Sequence, residues 1–321
     1  LHLPTPFAIG AVNAYVLPGT PTALVDCGPD TESAFEALES GLAEHDVTVS
    51  DLRVLLITHR HVDHLGLASR IHRASGATVI AHPEVVRALT DFPSHWRKRL
   101  SLLERAARAA GVPRETIEQS LALRSQIQDL AASVPTAAMR STGNGRSITC
   151  GGCDLTSVYT PGHTSDHVCF VHRPSGAAFT GDLMLRHLAT IPYLEDPKTH
   201  GAVNPLADLV ASWRLVGGLA LSIAWPGHGR PVRAHRILVA RRLASVRSRL
   251  QSARRVLQGR HMTAWELASE LGLSLDGRDL PATLGESVAL LRWLAARGLV
   301  DRSESGGLVR FRSRRAAQPP S

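Results

Sequence analysis

Thr58-His59-Arg60-His61-Val62-Asp63-His64 decides how this chain is read. The stretch follows Val54–Ile57, a short apolar run rich in branched residues that reads as a buried strand. Four side chains able to bind a metal, His59, His61, Asp63 and His64, fall within six residues. They sit where the strand ends and a helix is about to begin. A turn there can aim alternate side chains at one point, whereas a regular helix or strand would separate them. Neutral imidazole and carboxylate donors together suit zinc, manganese or iron rather than calcium or magnesium. A polar loop with a few surface histidines is the plainer explanation, and the rest of the chain argues against it.

Three further segments repeat the arrangement, namely Thr160-Pro161-Gly162-His163, Phe179-Thr180-Gly181-Asp182 and Trp225-Pro226-Gly227-His228. Each places a candidate ligand after a strand-like run, in a loop where Gly permits a tight backbone path. Pro-Gly-His or Gly-Asp alone carries no information; in this order, behind the first cluster, the set is specific. The candidate metal ligands are therefore His59, His61, Asp63, His64, His163, Asp182 and His228. Tyr193 is a candidate to line the pocket, and His167 is read as structural. Cys150-Gly151-Gly152-Cys153 has no second cysteine pair to complete a zinc site, so it reads as a turn between strands.

This pattern resembles the metallo-β-lactamase superfamily, whose signature is His-x-His-x-Asp-His followed by a distant His, an Asp and a last His. The matching positions run from Asp26 to His228. The resemblance implies an α/β fold, an αββα sandwich of two mixed sheets with helices outside. It implies one metal on His59, His61 and His163, another on Asp63, His64 and His228, and Asp182 between them. Two zinc ions are expected, with manganese or iron as alternatives. It further implies a metal-bridging hydroxide that attacks a carbonyl or phosphorus. Asp63 would be the catalytic residue that ligates a metal and orients the water. Asp26, at the end of the strand-like run Ala23–Val25, would orient a ligating histidine from behind.

The expected organisation is a catalytic domain over residues 1–232, with a helical insertion at about 83–140. A winged-helix-like domain over 233–315 and a disordered tail over 316–321 follow. The insertion is punctuated by Pro93, Gly111-Val112-Pro113 and Pro135. In the C-terminal region, Val239, Leu243, Val246, Leu250, Ala253 and Leu257 form one stripe of a long helix over 236–257. Thr263 and Glu266 read as a capping box. A helix over 284–297 and a hairpin broken at Gly306-Gly307 complete it.

With 321 residues, 44% hydrophobic and 20% charged, the chain is long enough for a large core plus a smaller unit. No apolar run is long enough to span a bilayer, and Leu1 does not open a secretory leader, so a cytoplasmic location and no membrane partner are expected. Four cysteines make no disulfide framework. The net charge of +8 is uneven: the run from Arg230 to Arg260 contains many Arg and no Asp or Glu. Such a run is either a solvated surface or a site for phosphates and nucleic acid.

Within the superfamily the resemblance is to the glyoxalase II-like group, and at the C-terminus to the β-lactamase-like protein 2 type. It implies hydrolysis of acyl thioesters or related small esters. Antibiotic hydrolysis is not expected, because the β-lactamases lack the acidic pair Asp63 and Asp182. The alternative is a single-strand-specific endoribonuclease with RNA as partner. The 4% aromatic content offers few residues for base stacking against that reading. A lactonase, an iron persulfide dioxygenase and a DNA-binding regulator are weaker alternatives. The sequence leaves the oligomeric state open.

Overall fold

The strand leading into the heptapeptide is the centre of a five-stranded sheet in the computed structural model, which describes residues 1–195 and 204–314. After a ribbon of β1 (His2–Leu3) and β2 (Val12–Asn13), the sheet runs in the order β3 (Tyr15–Leu17), β4 (Ala23–Val25), β5 (Val54–Leu56), β6 (Thr78–Ala81), β7 (Met139–Ser141). From β4 to β7 the pairing is parallel, and β3 lies antiparallel at one edge. Parallel strands must be covered on both faces, which is why β4 and β5 are apolar at every position. Leu24, Leu55 and Val79 face outward onto α1 (Glu32–Ala43), α3 (Ala68–Ser75) and α4 (Pro83–Thr90). Ala23, Val25, Val54 and Leu56 face inward.

The inward face meets a second sheet of β8 (Ser147–Cys150), β9 (Cys153–Tyr159), β10 (Val168–His172), β11 (Ala177–Gly181) and β12 (Ile223–Pro226). Its order is β12-β11-β10-β9-β8, antiparallel except for the β11–β12 pair. Ile148, Leu155, Phe170 and Phe179 fill the space between the sheets. On the far side, Val171, Ala178 and Ala224 pack against Leu209, Trp213 and Val216 of α7 (Pro205–Gly218). The result is the expected αββα layering. The turn at Cys150–Cys153 joins β8 to β9, and both cysteines are free thiols.

The helices beyond the sandwich share a core. The segment after β6 supplies α4, then α5 (Phe92–Ala109) and α6 (Arg114–Ser125). The C-terminal region supplies α8 (His235–Val256), β13 (His261–Met262), α9 (Ala264–Glu270), α10 (Leu280–Ala296), β14 (Val300–Ser305) and β15 (Leu308–Ser313). Leu103, Ala107 and Ile117 are buried together with Leu257, Leu267, Leu284 and Leu291. The stripe on α8 serves two layers: Val239 packs on the outer face of the second sheet, whereas Ala253 and Leu257 enter the shared core. Thr263 caps α9 reciprocally with Glu266, at 3.2 and 2.8 Å.

Two element boundaries differ from the sequence reading. Asp63 and His64 lie inside a one-turn helix, α2 (Val62–Leu65), rather than ahead of the helix, because extended His61 already caps it. The helix expected from residue 284 starts at Leu280, where Pro281 supplies the preset backbone angle that favours a first turn. The expected tail over 316–321 lies outside the described residues. Among the described residues no helix is long and apolar enough to cross a membrane.

Candidate metal centre

The strands deliver their polar ends to one rim of the sandwich. Beyond β4 comes Asp26, beyond β5 His59 and His61, beyond β9 His163, and beyond β11 and β12 Asp182 and His228. The α2 turn adds Asp63 and His64. The candidates fall into two adjacent groups, one of His59, His61, His163 and Asp182 and one of Asp63, His64 and His228; within each, the ligand atoms lie within 4.8 Å of one another. His61 Nδ1 is 3.0 Å from His59 Nε2 and 3.1 Å from His163 Nε2. His228 Nε2 is 3.2 Å from Asp63 Oδ2. The Asp182 carboxylate faces both groups, with Oδ2 3.6 Å from His163 Nε2 and Oδ1 3.4 Å from His64 Nε2.

The outward ring nitrogens fix which nitrogen faces in. His163 Nδ1 lies 3.0 Å from the Ile191 carbonyl and His228 Nδ1 lies 2.9 Å from the Ala11 carbonyl. A carbonyl only accepts, so each Nδ1 carries the proton and each Nε2 presents a lone pair inward. His64 Nδ1 meets Asp26 Oδ2 at 2.8 Å, and His59 Nδ1 meets Thr58 Oγ1 at 3.0 Å. Asp26 also accepts from Thr58 N and Thr58 Oγ1, both at 2.8 Å. It holds these bonds from a left-handed backbone, φ 56°, that a non-glycine residue adopts at a cost. Supporting hydrogen bonds of this kind orient ligating imidazoles.

The donor set fits a pair of cations. His64 Nε2, His228 Nε2 and Asp182 Oδ1 are buried with no hydrogen-bond partner among the described residues. Leaving such groups unsatisfied costs roughly 1–3 kcal/mol each, and a metal removes that cost. Burial, then the neighbouring imidazoles, push His59 and His61 well below the ordinary histidine range, so both are neutral and ready to ligate. Burial alone would lower His64 as well, but Asp182, Asp26 and Asp63 raise it to about 10. Three carboxylates that draw positive charge this strongly suit a bound cation. Gly227 is required here: a Cβ at this position would collide with Asp182 Oδ1 and His64.

The ion pairs behind the ligand loops had no clear sequence signal. Arg60, inside the heptapeptide, turns away from the ligands and is 7% exposed; its guanidinium meets Asp166 Oδ2 at 3.0 Å and also pairs with Glu195. Glu195 in turn accepts from Ser165 N at 2.9 Å and faces Arg99 Nη1 of α5 at 3.5 Å. Tyr193, two residues earlier and expected to line the pocket, sets its ring 4.3 Å from that of His61 in a tilted contact and 5.8 Å from that of His163 edge-on. Its backbone N donates to the His163 carbonyl at 3.0 Å. The C-terminal region reaches the segment from Thr190 to Glu195 directly: a side chain at Gly285 of α10 would strike the Pro192 carbonyl. His167 is fully buried, 5.2 Å from the His59 ring, with Nδ1 2.8 Å from Thr160 Oγ1.

A sequence profile of the Metallo-beta-lactamase superfamily matches residues 8–228. The chain is 31% identical to the probable metallo-hydrolase YqjP of Bacillus subtilis over 98% of its own length and 97% of that protein. It is 24% identical to an atrochrysone carboxyl ACP thioesterase of Aspergillus fumigatus, over 70% of this chain and 53% of that one. The chain thus spans about half the length of that fungal relative. Among solved structures, it is similar to the metallo-beta-lactamase family protein TTHA1429 of Thermus thermophilus, with TM-score 0.81 and 27% identity over 98% and 97% of the two chains. A beta-lactamase domain protein from Burkholderia ambifaria shares the fold at TM-score 0.83 and 23% identity, covering 98% and 91%.

Proposed function

The chain belongs to the metallo-β-lactamase superfamily, and on that premise we propose that it is a dinuclear metal-dependent hydrolase of acyl thioesters or related small esters, within the glyoxalase II-like group. The observation that carries the dinuclear part is the Asp182 carboxylate, with one oxygen turned to each ligand group. Zinc is the proposed metal, with manganese or iron as alternatives. When bound, two such cations make water a stronger acid and polarise an electrophilic carbonyl. The protein's own groups do the rest. Asp63, whose Oδ2 is held 3.2 Å from His228 Nε2, accepts the proton of the attacking water. Tyr193 lines the site beside His61. Burial, more than any charge, raises its phenol above the ordinary range, so it meets substrate as a hydrogen-bond donor. Tyr193 is placed in turn by the Arg99–Glu195–Arg60 chain of ion pairs.

Support for a thioester comes from relatives named as thioesterases, including the fungal proteins at 24% and 25% identity. The helix, strand, helix, helix and hairpin order of the C-terminal region supports a winged-helix-like reading of that part. RNA cleavage is the second reading, favoured by the arginines of α8. Some of the arginines in and just after this helix are engaged internally, however: Arg249 pairs with Glu286, and Arg260 with Glu270 at 2.8 Å. The test compares zinc-loaded protein on acyl thioesters and on labelled single-stranded RNA, with Asp63→Ala as the blank. Thioester turnover that vanishes in the variant is expected. RNA cleavage that vanishes in the variant, without thioester turnover, would replace the first reading by the second.

A further inference from the structure

Beside the last ligand loop lies a groove of about 600 Å³ that the metal centre does not use. Trp225 and Ile237 line it, and so do four arginines, Arg186, Arg230, Arg233 and Arg241. All four arginines are exposed, and among the described residues none has a carboxylate within ion-pair distance. Four unpaired cations around one groove repel one another unless an anion enters. Ile237, 57% exposed among them, adds apolar surface to the groove beside Trp225.

The groove is built rather than incidental. Arg242 of α8 donates to the Leu185 carbonyl at 2.6 Å and also to the Leu188 carbonyl, which pins the backbone carrying Arg186. Ala224 and Val232 exchange two backbone hydrogen bonds of 2.8 Å, which pins the turn carrying Arg230. Its size lies in the range of small-ligand pockets, roughly 300–1,000 Å³, and suits a discrete ligand better than an extended strand. Arginines around an apolar wall containing an indole match phosphates joined to a planar ring. The groove is also close to the chemistry. Arg230 follows His228 by two residues, so their Cα atoms are at most about 8 Å apart.

We propose that this groove binds the phosphorylated nucleotide end of a nucleotide-borne acyl thioester, of the coenzyme A class. The phosphates meet the four arginines and the base lies against Trp225 and Ile237. A flexible arm then carries the thioester from the groove to the rim of the sandwich. The acyl half of this inference rests on the thioesterase reading; the nucleotide site does not.

The test uses the full zinc-loaded chain. Adenosine 3′,5′-bisphosphate is titrated by calorimetry into wild type, Arg230→Ala/Arg233→Ala and Trp225→Ala, with melting temperatures confirming folded variants. In parallel, kcat/KM is measured on a coenzyme A thioester and on the N-acetylcysteamine thioester of the same acyl group. We expect saturable, salt-sensitive binding that falls about tenfold or more in the arginine double variant, a loss equivalent to one weakened charge contact or more. The kcat/KM loss should be at least about tenfold greater for the coenzyme A thioester than for the truncated one. Bisphosphate binding lost in the variants, with no thioester turned over, would keep the nucleotide site and sink the thioesterase reading. Thioester turnover with no bisphosphate binding, or with equal losses on both substrates, would do the reverse. Capture of a single-stranded oligonucleotide by a groove that ignores the bisphosphate would also overturn the proposal.

Discussion

At the metal centre, polar side chains are held by hydrogen bonds to their immediate surroundings: His64 by Asp26, Asp26 by Thr58, His163 by Ile191 and His228 by Ala11. In the layer of helices beyond the sandwich, Leu103 and Ile117 of the insertion share a buried apolar core with Leu257, Leu284 and Leu291, far along the chain. The first region gives up stability to hold unsatisfied donors in a fixed array. The second supplies stability chiefly through burial, joined by directional bonds such as Trp265 N to the Ala110 carbonyl at 3.3 Å and Arg124 Nη2 to the Arg278 carbonyl at 2.8 Å. The two meet at the strap from Thr190 to Glu195, which touches His61 and His163 on one side and α5 and α10 on the other.

This contrast is open to mutation. The largest effect is expected from Asp182→Ala, which removes the carboxylate shared by both ligand groups. Turnover should disappear and bound metal should fall, while the melting temperature of the metal-free chain holds or rises. A large loss of stability there would erase the distinction between the two regions. Asp26→Asn should cost about 10–100-fold in metal affinity, the usual penalty for losing a partner that orients a ligating imidazole. Competition with a chromogenic chelator reads this directly. Leu284→Ala should destabilise the chain by about 2–5 kcal/mol, as for other buried Leu truncations, measured by urea unfolding. Metal stoichiometry of the folded protein should stay as in wild type; metal loss in step with stability would mean that the helical layer dictates the ligand geometry.

Gly285→Ala sharpens the comparison at the junction. Its added methyl would collide with the Pro192 carbonyl, so metal affinity, kcat/KM and stability should all fall together, read by chelator competition, turnover and urea unfolding. The smallest effect concerns acid. Burial alone would raise Asp166 and Glu195, but Arg60 beside both, with Thr164 for Asp166 and Arg99 for Glu195, holds them below the ordinary carboxylate range. Their contribution to stability is therefore present above the unfolded pKa of about 4 and is lost as pH falls through the lower folded values. Glu195→Gln should shallow the fall in stability below about pH 4, followed by urea unfolding across pH.

The sequence was most legible where local rules act. Short apolar runs ending in polar, Gly-bearing loops marked each candidate ligand, and a capping pair marked the start of α9. The residues that were not legible act over long separations. Nothing near Glu195 announces that it pairs with Arg60, because an ion pair across 135 positions leaves no periodicity. The common core of the insertion and the C-terminal region is hidden for the same reason: each helix shows an apolar face, and a face does not name its partner. Arg60 gives no signal of its own, because a charged residue among ligands reads as spacing, whereas the fold turns it inward to brace the opposite loop.

Metal content tests the dinuclear centre most directly. The wild-type chain, stripped with chelator, reloaded with excess zinc and desalted, should carry two zinc ions by mass spectrometry under native conditions and by elemental analysis. Asp182→Ala should carry one or none. A wild-type chain that retains a single ion, unaffected by Asp63→Ala or His228→Ala, would contradict the dinuclear centre on which the proposed function depends.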